Sequence, residues 1–464
     1  MSDDTSEHRQ ILKSREDQAP VTLVPAQKDD GAFVLEEGSS CSWARPGESL
    51  TREMLRKRIE PWLTALCQSE HLSLLVGSGL THAVHRMAAK KGLPGMARAD
   101  FGEGDLAKAI TAEVKRSAEK TNRTEGNFED QIRVANELLR GLEILEEVDR
   151  AAGLRKGLAD ALEAFAATIL EGEAGIATSD KEPRKEAFNY LVTFLMSFAS
   201  RSGTRDRLHI FTTNYDRLIE AGADAAGLHL LDRFVGALAP VFRSSRLSLD
   251  IHYNPPGIRG EPRYLEGVAR FTKLHGSLDW VDVSGAIRRV GIPFGAKDGA
   301  PFLKAPGLYG ADAMRLMIYP NSAKDRETSG YPYVDLFRDL AAACCRPNHT
   351  LFTYGYSFGD EHINRVIEDM LTIPSTHLVI IAHGDPLGRV MRFYDHVGRP
   401  AQVSLMVGNH FGDLSQLVDW YLPKPAIDRT TFRMAELLKS RWGETPIEAQ
   451  SNEKGGSDGE GGAT

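Results

Sequence analysis

His209-Ile210-Phe211-Thr212-Thr213-Asn214-Tyr215-Asp216 is the stretch that decides the fold class. Its apolar and β-branched residues read as a buried strand that stops at Asn214, and Asp216-Arg217-Leu218-Ile219-Glu220 reads as the helix that follows. In a parallel α/β sheet the carboxyl ends of strands border the ligand crevice, so Thr213, Asn214 and Asp216 are placed to offer polar groups there. The same residues also suit a plain helix start, with Asn214 as N-cap and Asp216 as a first-turn charge.

A second corner of the same kind lies upstream. Leu72-Ser73-Leu74-Leu75-Val76 reads as a strand, Gly77-Ser78-Gly79 as a turn, and a helix begins near Leu80 or Thr81. Glycines at such a turn let backbone N–H groups approach an anion at a helix N-terminus, so Gly77, Ser78 and Gly79 are candidates to hold a pyrophosphate. The dehydrogenase fingerprint is not met, because His82 stands where its third glycine belongs. Without a ligand the stretch is simply a short glycine turn.

Downstream, Phe271-Thr272-Lys273-Leu274 ends at His275-Gly276-Ser277, a position suited to a general base because imidazole titrates near neutral pH. A strand from His349 to Tyr354 leads to Gly355-Tyr356-Ser357-Phe358-Gly359-Asp360-Glu361-His362. Leu378 to Ile381 leads to His383-Gly384-Asp385, and Val403 to Val407 precedes a helix from Leu414 to Tyr421. Strands alternating with helices predict an α/β fold, a Rossmann-like parallel sheet with helices on both faces.

Between the two corners, residues 100–203 are charged and helical in period, with Leu138, Leu142, Leu145, Leu158, Leu162 and Phe165 at helical spacing and a loop expected over Glu171 to Glu182. We read them as a helical insertion in one domain spanning 49–425. Asn127-Phe128-Glu129-Asp130 suits a helix cap. Residues 226–330, rich in glycine and proline, read as a smaller irregular subdomain ending in a strand at Leu316 to Tyr319. Residues 1–48 read as a disordered arm, 426–442 as a terminal helix and 443–464 as a disordered tail.

The composition limits the functional classes. A net charge of −8 over 464 residues gives no broad basic field, so direct nucleic-acid binding is not expected. No run of eighteen apolar residues occurs and the first residues lack a signal-peptide pattern, which points to a cytoplasmic protein away from the membrane. Cys41, Cys67, Cys344 and Cys345 form no CxxC pair and no zinc-ribbon spacing, so no metal is expected.

Gly77-Ser78-Gly79-Leu80-Thr81 with Gly92-Leu93-Pro94, then Thr213-Asn214-Tyr215-Asp216, Leu274-His275-Gly276, Gly355-Tyr356-Ser357 and His383-Gly384, in that order, resemble the sirtuin family. The Thr-Thr-Asn-Tyr-Asp and Gly-Tyr-Ser-Phe-Gly-Asp-Glu-His runs are more narrowly similar to bacterial sirtuin-like NAD+ hydrolases of anti-phage defence. The likeness spans residues 70–425 outside the helical insertion. It implies a sirtuin-like fold in which Gly77, Ser78 and Gly79 hold the NAD+ pyrophosphate, Asn214 and Asp216 contact the nicotinamide end, and His275 is the base. It further implies Gly355 and Ser357 near the phosphates or nicotinamide ribose, and His383 and Gly384 toward the adenosine. Thr213 stands where the family's deacylases commonly carry Gln.

By that resemblance the expected reaction is hydrolysis of NAD+ to nicotinamide and ADP-ribose, in an effector that depletes NAD+ during abortive infection. The family's zinc module has no candidate ligands here, which favours water over acyl-lysine as the nucleophile. The alternatives are an NAD-dependent protein deacylase or ADP-ribosyltransferase and a non-catalytic nucleotide sensor. Such proteins commonly form homo-oligomers or work with a DNA-translocating ATPase. A rival reading treats Gly355-Tyr356-Ser357-Phe358-Gly359 as a GxSxG nucleophile elbow with Asp385 and His396 or His410 as partners, although no HGGG-type segment precedes it.

Overall fold

Runs such as Leu378-Val379-Ile380-Ile381, apolar on both faces, suit only strands covered by helices on each side, and the chain places them there. The computed structural model describes residues 9–424 except 15, 27–30, 94–97, 121–125, 202–204, 246–248, 254–262 and 309–330.

Three short strands come first among the described residues, β1 (Gln10–Lys13), β2 (Val21–Pro25) and β3 (Phe33–Leu35). Helix α1 (Arg52–Cys67), whose N-cap Thr51 accepts from Met54 N–H, leads to β4 (His71–Val76) and α2 (Ser78–Ala89). Four helices follow, α3 (Asp105–Lys120), α4 (Phe128–Ile144), α5 (Val148–Ala177) and α6 (Lys181–Ala199). The chain then forms β5 (His209–Thr212), α7 (Leu218–Ala226) and β6 (His229–Leu231). Short strands β7 (Phe234–Val235), β8 (Val241–Phe242), β9 (His252–Tyr253) and β10 (Arg263–Tyr264) precede β11 (Val268–Lys273). The hairpin β12 (Trp280–Val283) and β13 (Ala286–Arg289) follows. The last elements are α8 (Tyr333–Cys344), β14 (His349–Tyr354), α9 (Glu361–Leu371), β15 (His377–Ala382), α10 (Arg389–Val397) and β16 (Val403–Val407).

One 10-stranded sheet runs β3-β2-β1-β16-β15-β14-β4-β5-β11-β6. From β16 to β6 every neighbouring pair is parallel, and β1, β2 and β3 extend the β16 edge antiparallel. Alternation along each strand feeds two cores: Leu72, Leu74, Val76 and Ile210 point to one face, and Leu75, Phe211, Leu351 and Ile380 to the other. The fold is thus Rossmann-like α/β. Among the described residues no helix is long and apolar enough to cross a membrane.

Four expectations change. Residues 1–48 are not an unstructured arm where they are described, because β1 to β3 bury Leu12, Leu23, Phe33 and Leu35. Strands of three to five residues carry too little pattern to be read without their pairing partner, and here the partner is β16 at the far end of the sequence. Lys13 illustrates the point: its buried Nζ donates to Pro400 and Val403 carbonyls at 2.5 and 3.0 Å. Second, the loop placed over Glu171 to Glu182 is helix almost throughout, because Gly172 and Gly175 are sites of close approach. A Cβ at either would lie 2.9 Å from Leu93 or from the His85 ring. Third, 226–330 is not one subdomain, since β6 and β11 join the main sheet while β12-β13-β8-β7 form a separate small one. Fourth, the sheet is not parallel throughout. The strand expected at Leu316 to Tyr319, residues 426–442 and the tail 443–464 lie outside the described residues.

Candidate functional site

Strand β4 lies between β5, reached through the helical insertion, and β14, reached from the other half of the chain. Such a switch in strand order opens a crevice beyond the carboxyl ends of the strands. A cavity of about 680 Å³ sits there, within the usual size for small-molecule and cofactor sites. Gly77, Ser78, Thr213, Asn214 and Asp216 line it from the β4 and β5 ends, and His275, Gly355 and Ser357 from the β11 and β14 ends.

Three of the expected residues are placed differently. Gly79 does not line the cavity; a Cβ there would lie 2.5 Å from Gly355 Cα, so its role is to let the β4 and β14 turns touch. The Gly77 and Gly79 amides are also taken up, donating to Tyr354 O at 3.0 Å and Gly355 O at 3.1 Å. His383 and Gly384 are exposed beyond β15 and are not brought to the cavity.

Asn214 is 8% exposed and held firmly. Its Nδ2 donates to Gly77 O and to Thr81 Oγ1, each at 3.0 Å. Thr81 in turn donates to Asp216 Oδ2 at 2.7 Å, and Asp216 Oδ1 accepts from Leu218 N–H at 3.0 Å. With both amide hydrogens engaged, the carbonyl oxygen is the group Asn214 can offer a ligand. Asp216 acts through Thr81 to orient that amide.

On the other side, His275 Nε2 lies 2.8 Å from Asp360 Oδ2. Asp360 is itself fixed as the N-cap of α9, its Oδ1 accepting from His362 and Ile363 N–H, and Tyr356 donates to its carbonyl at 3.2 Å. A carboxylate on one ring nitrogen sets the neutral tautomer and makes the other nitrogen the acceptor. Neither Thr81 nor Asp360 had been given a role from sequence, although both fall inside the quoted motifs. Their importance follows from partners 135 and 85 residues distant.

The helical insertion forms one wall. Phe165 of α5 packs edge-on against Tyr215 at 5.6 Å and stacks on Phe128 at 4.6 Å. Asn127 and Asp130 form the expected capping box of α4. Glu173 of α5, 2% exposed, accepts from Arg217 N–H at 2.8 Å and pairs with its guanidinium, which also donates to Ile292 and Pro293 carbonyls. Burial raises the Glu173 pKa against the pull of Arg217. Burial likewise lowers the His82 pKa, helped by His85 and Arg86 and opposed by Asp216. Glu129, Asp130 and Glu173 line the cavity from the insertion side, and Arg389, Arg392 and His396 of α10 line it beside Glu361 and Glu368 of α9.

The nucleophile-elbow reading fails on geometry. Ser357 reaches the cavity, but Asp385 accepts from Val390 and Met391 N–H as a helix cap, and His410 is bonded to Tyr421 at 2.7 Å. His396 faces Glu368 at 3.7 Å. Among the described residues, no group of three or more His, Cys, Asp or Glu is arranged to hold a metal ion.

Residues 208–393 match the family model of the SIR2-like domain. That stretch is less than half of the chain; it includes Asn214, His275, Gly355 and Ser357 but neither the Gly77 turn nor the helical insertion. A solved structure described as "The Structural basis of Sirtuin Substrate Affinity" is similar at 11% identity with a TM-score of 0.29, over 78% of this chain and 97% of that one. No curated protein matches the chain. Over 208–393, then, the chain is similar to SIR2-like domains, on a Rossmann-like α/β sheet.

Proposed function

We propose that the cavity binds NAD+ and hydrolyses its nicotinamide–ribose bond, consuming one water and releasing nicotinamide, ADP-ribose and a proton. The observation that carries this reading is the meeting of Asn214 and His275, from separate strands, on one cavity beside the Gly77-Ser78 turn. The similarity of 208–393 to SIR2-like domains supports the choice of dinucleotide.

Cleavage of the glycosidic bond develops positive charge on the ribose, so a site accelerates it by holding the sugar, supporting that charge and delivering a nucleophile. The Asn214 carbonyl oxygen is suited to accept a hydrogen bond from the attacking water or from a ribose hydroxyl. His275, held by Asp360, takes the proton. Glu129 on the insertion side is placed to favour the cationic nicotinamide ring, and Arg389 and Arg392 to favour the phosphates. Asp216 and Thr81 position Asn214 rather than touching the reacting atoms.

The test is incubation of purified protein with NAD+ and chromatography of the products. Nicotinamide and ADP-ribose in equal amounts are expected. Binding by calorimetry without product would identify a sensor, and acyl-ADP-ribose formed from an acyl-lysine peptide would identify a deacylase. An effector role in anti-phage defence, with a homo-oligomer or a DNA-translocating ATPase controlling the site, is part of the same proposal. Its check is NAD+ loss in infected cells expressing the protein.

A further inference from the structure

The strands that end at the NAD+ cavity begin at another one. Ser73 of β4, His209 of β5, Arg270 of β11 and His349 of β14 line a second cavity of about 330 Å³ at the amino ends of the sheet. Its charges do not balance. Asp206, Asp250 and Asp339 lie on its rim, but Asp206 is paired with Arg346 at 2.9 Å, Asp250 with Arg207 at 3.1 Å, and Asp339 with Arg233. After those pairs, Arg270 and Arg205 remain, and neither has an ion-pair or hydrogen-bond partner for its side chain among the described residues. The C-terminal end of α8 faces this pole and favours a cation, which Arg346 just beyond it supplies.

The histidines register the resulting field. His349, 1% exposed, holds Ser73 Oγ at 3.0 Å through Nε2, and its buried Nδ1 has no partner. Burial, with His71, Arg346 and Arg201, pushes its pKa down to about 3. His209 is pushed well below its usual range by burial and then by Arg270, His349 and Arg233. Both imidazoles are therefore neutral at pH 7 and add no charge of their own.

We propose that this second cavity is an anion site for the phosphate group of a small molecule, with Arg270 as its principal ligand and Arg205 at its mouth. Guanidinium groups without a carboxylate partner present the planar pair of donors that phosphate oxygens accept. The volume admits a phosphate monoester but is half that of the dinucleotide cavity. The site is independent of the NAD+ reading, since it lies at the opposite ends of the same strands.

The experiment is calorimetric titration of the full chain, at constant ionic strength, with inorganic phosphate and separately with ribose 5-phosphate. Saturable binding is expected, weakened about tenfold or more by Arg270→Gln, in keeping with loss of a charge-assisted hydrogen bond, and partly restored by Arg270→Lys. Phosphate binding should survive Asn214→Ala. Tighter binding of ribose 5-phosphate than of inorganic phosphate would assign the site to a monoester, the reverse to the free ion. Absence of saturable binding, or binding unchanged in Arg270→Gln, overturns the proposal. Circular dichroism checks folding, and Arg205→Gln replaces Arg270→Gln if the latter does not fold, with weakened binding expected and unchanged binding overturning the proposal.

Discussion

The two ends of β4, β5, β11 and β14 carry opposite kinds of polar chemistry. At the amino ends, His209 and His349 are buried and neutral and most charges are matched in pairs. At the carboxyl ends, polar side chains are fixed by one another yet keep hydrogen-bonding capacity for a ligand, as Asn214 keeps its carbonyl. A shared sheet therefore does not distribute function evenly. Changes at the carboxyl ends should remove activity and leave stability, and changes elsewhere along the strands should do the reverse.

The largest effect is expected from Asn214→Ala and His275→Ala. Each should lower the rate of NAD+ loss by roughly 10²- to 10⁴-fold, the usual range for removing a general acid–base group, while the chain keeps a cooperative melting transition lowered only by the loss of the buried hydrogen bonds each side chain makes. Equal losses of stability in these variants would break the contrast between the two ends.

Glu173→Gln tests the insertion wall. Breaking a buried ion pair from one side leaves Arg217 uncompensated and costs about 3–5 kcal/mol, read as a lower urea midpoint. Because Arg217 follows the Asn214 turn directly, the same change should also raise KM for NAD+. A stability loss with KM untouched would detach the insertion from the site.

Asp360→Asn is expected to lower kcat by about 10- to 100-fold by disturbing the tautomer and orientation of His275. KM should hardly move if Asp360 acts only through the imidazole. A change in KM alone would place Asp360 in ligand binding.

The smallest effect belongs to the amino ends and is read by pH. Burial and then Lys13 hold the His377 pKa at about 4, beneath its ordinary 6.5. Between those values the unfolded chain binds a proton that the folded chain does not, so stability falls as pH drops from about 6.5 toward 4. His349, at about 3, acts in the same direction. His377→Gln, which leaves Ser404 a partner for its hydroxyl, should flatten the slope by on the order of 2 kcal/mol across that window. Urea midpoints at pH 7 and pH 5 measure it, and an unaltered slope would show that the histidine's burial is not what the pH dependence reports.

Much of this architecture is legible in the sequence. The stops at Gly77, Asn214, His275 and Gly355 stand out because an apolar run ending in a polar or glycine residue marks a strand's carboxyl end, and parallel strands put all such ends on one side. Local pattern suffices for that. It does not suffice for β1 to β3, whose few residues are strands only because β16 offers β1 an edge 392 to 396 residues away. Nor does it suffice for Gly79, where the absent side chain answers Gly355 rather than a phosphate.

Sequence by itself determined the strand ends, the helical period of the insertion and the residue types available for chemistry, since these depend on neighbours a few positions apart. Only the tertiary structure decided that Thr81 and Asp216 steer Asn214, that Asp360 holds His275, and that His383 and Gly384 stand aside. Hydrogen-bond partnership depends on ångström distances between segments far apart in the chain, and nothing in the order of residues encodes those until the sheet is assembled.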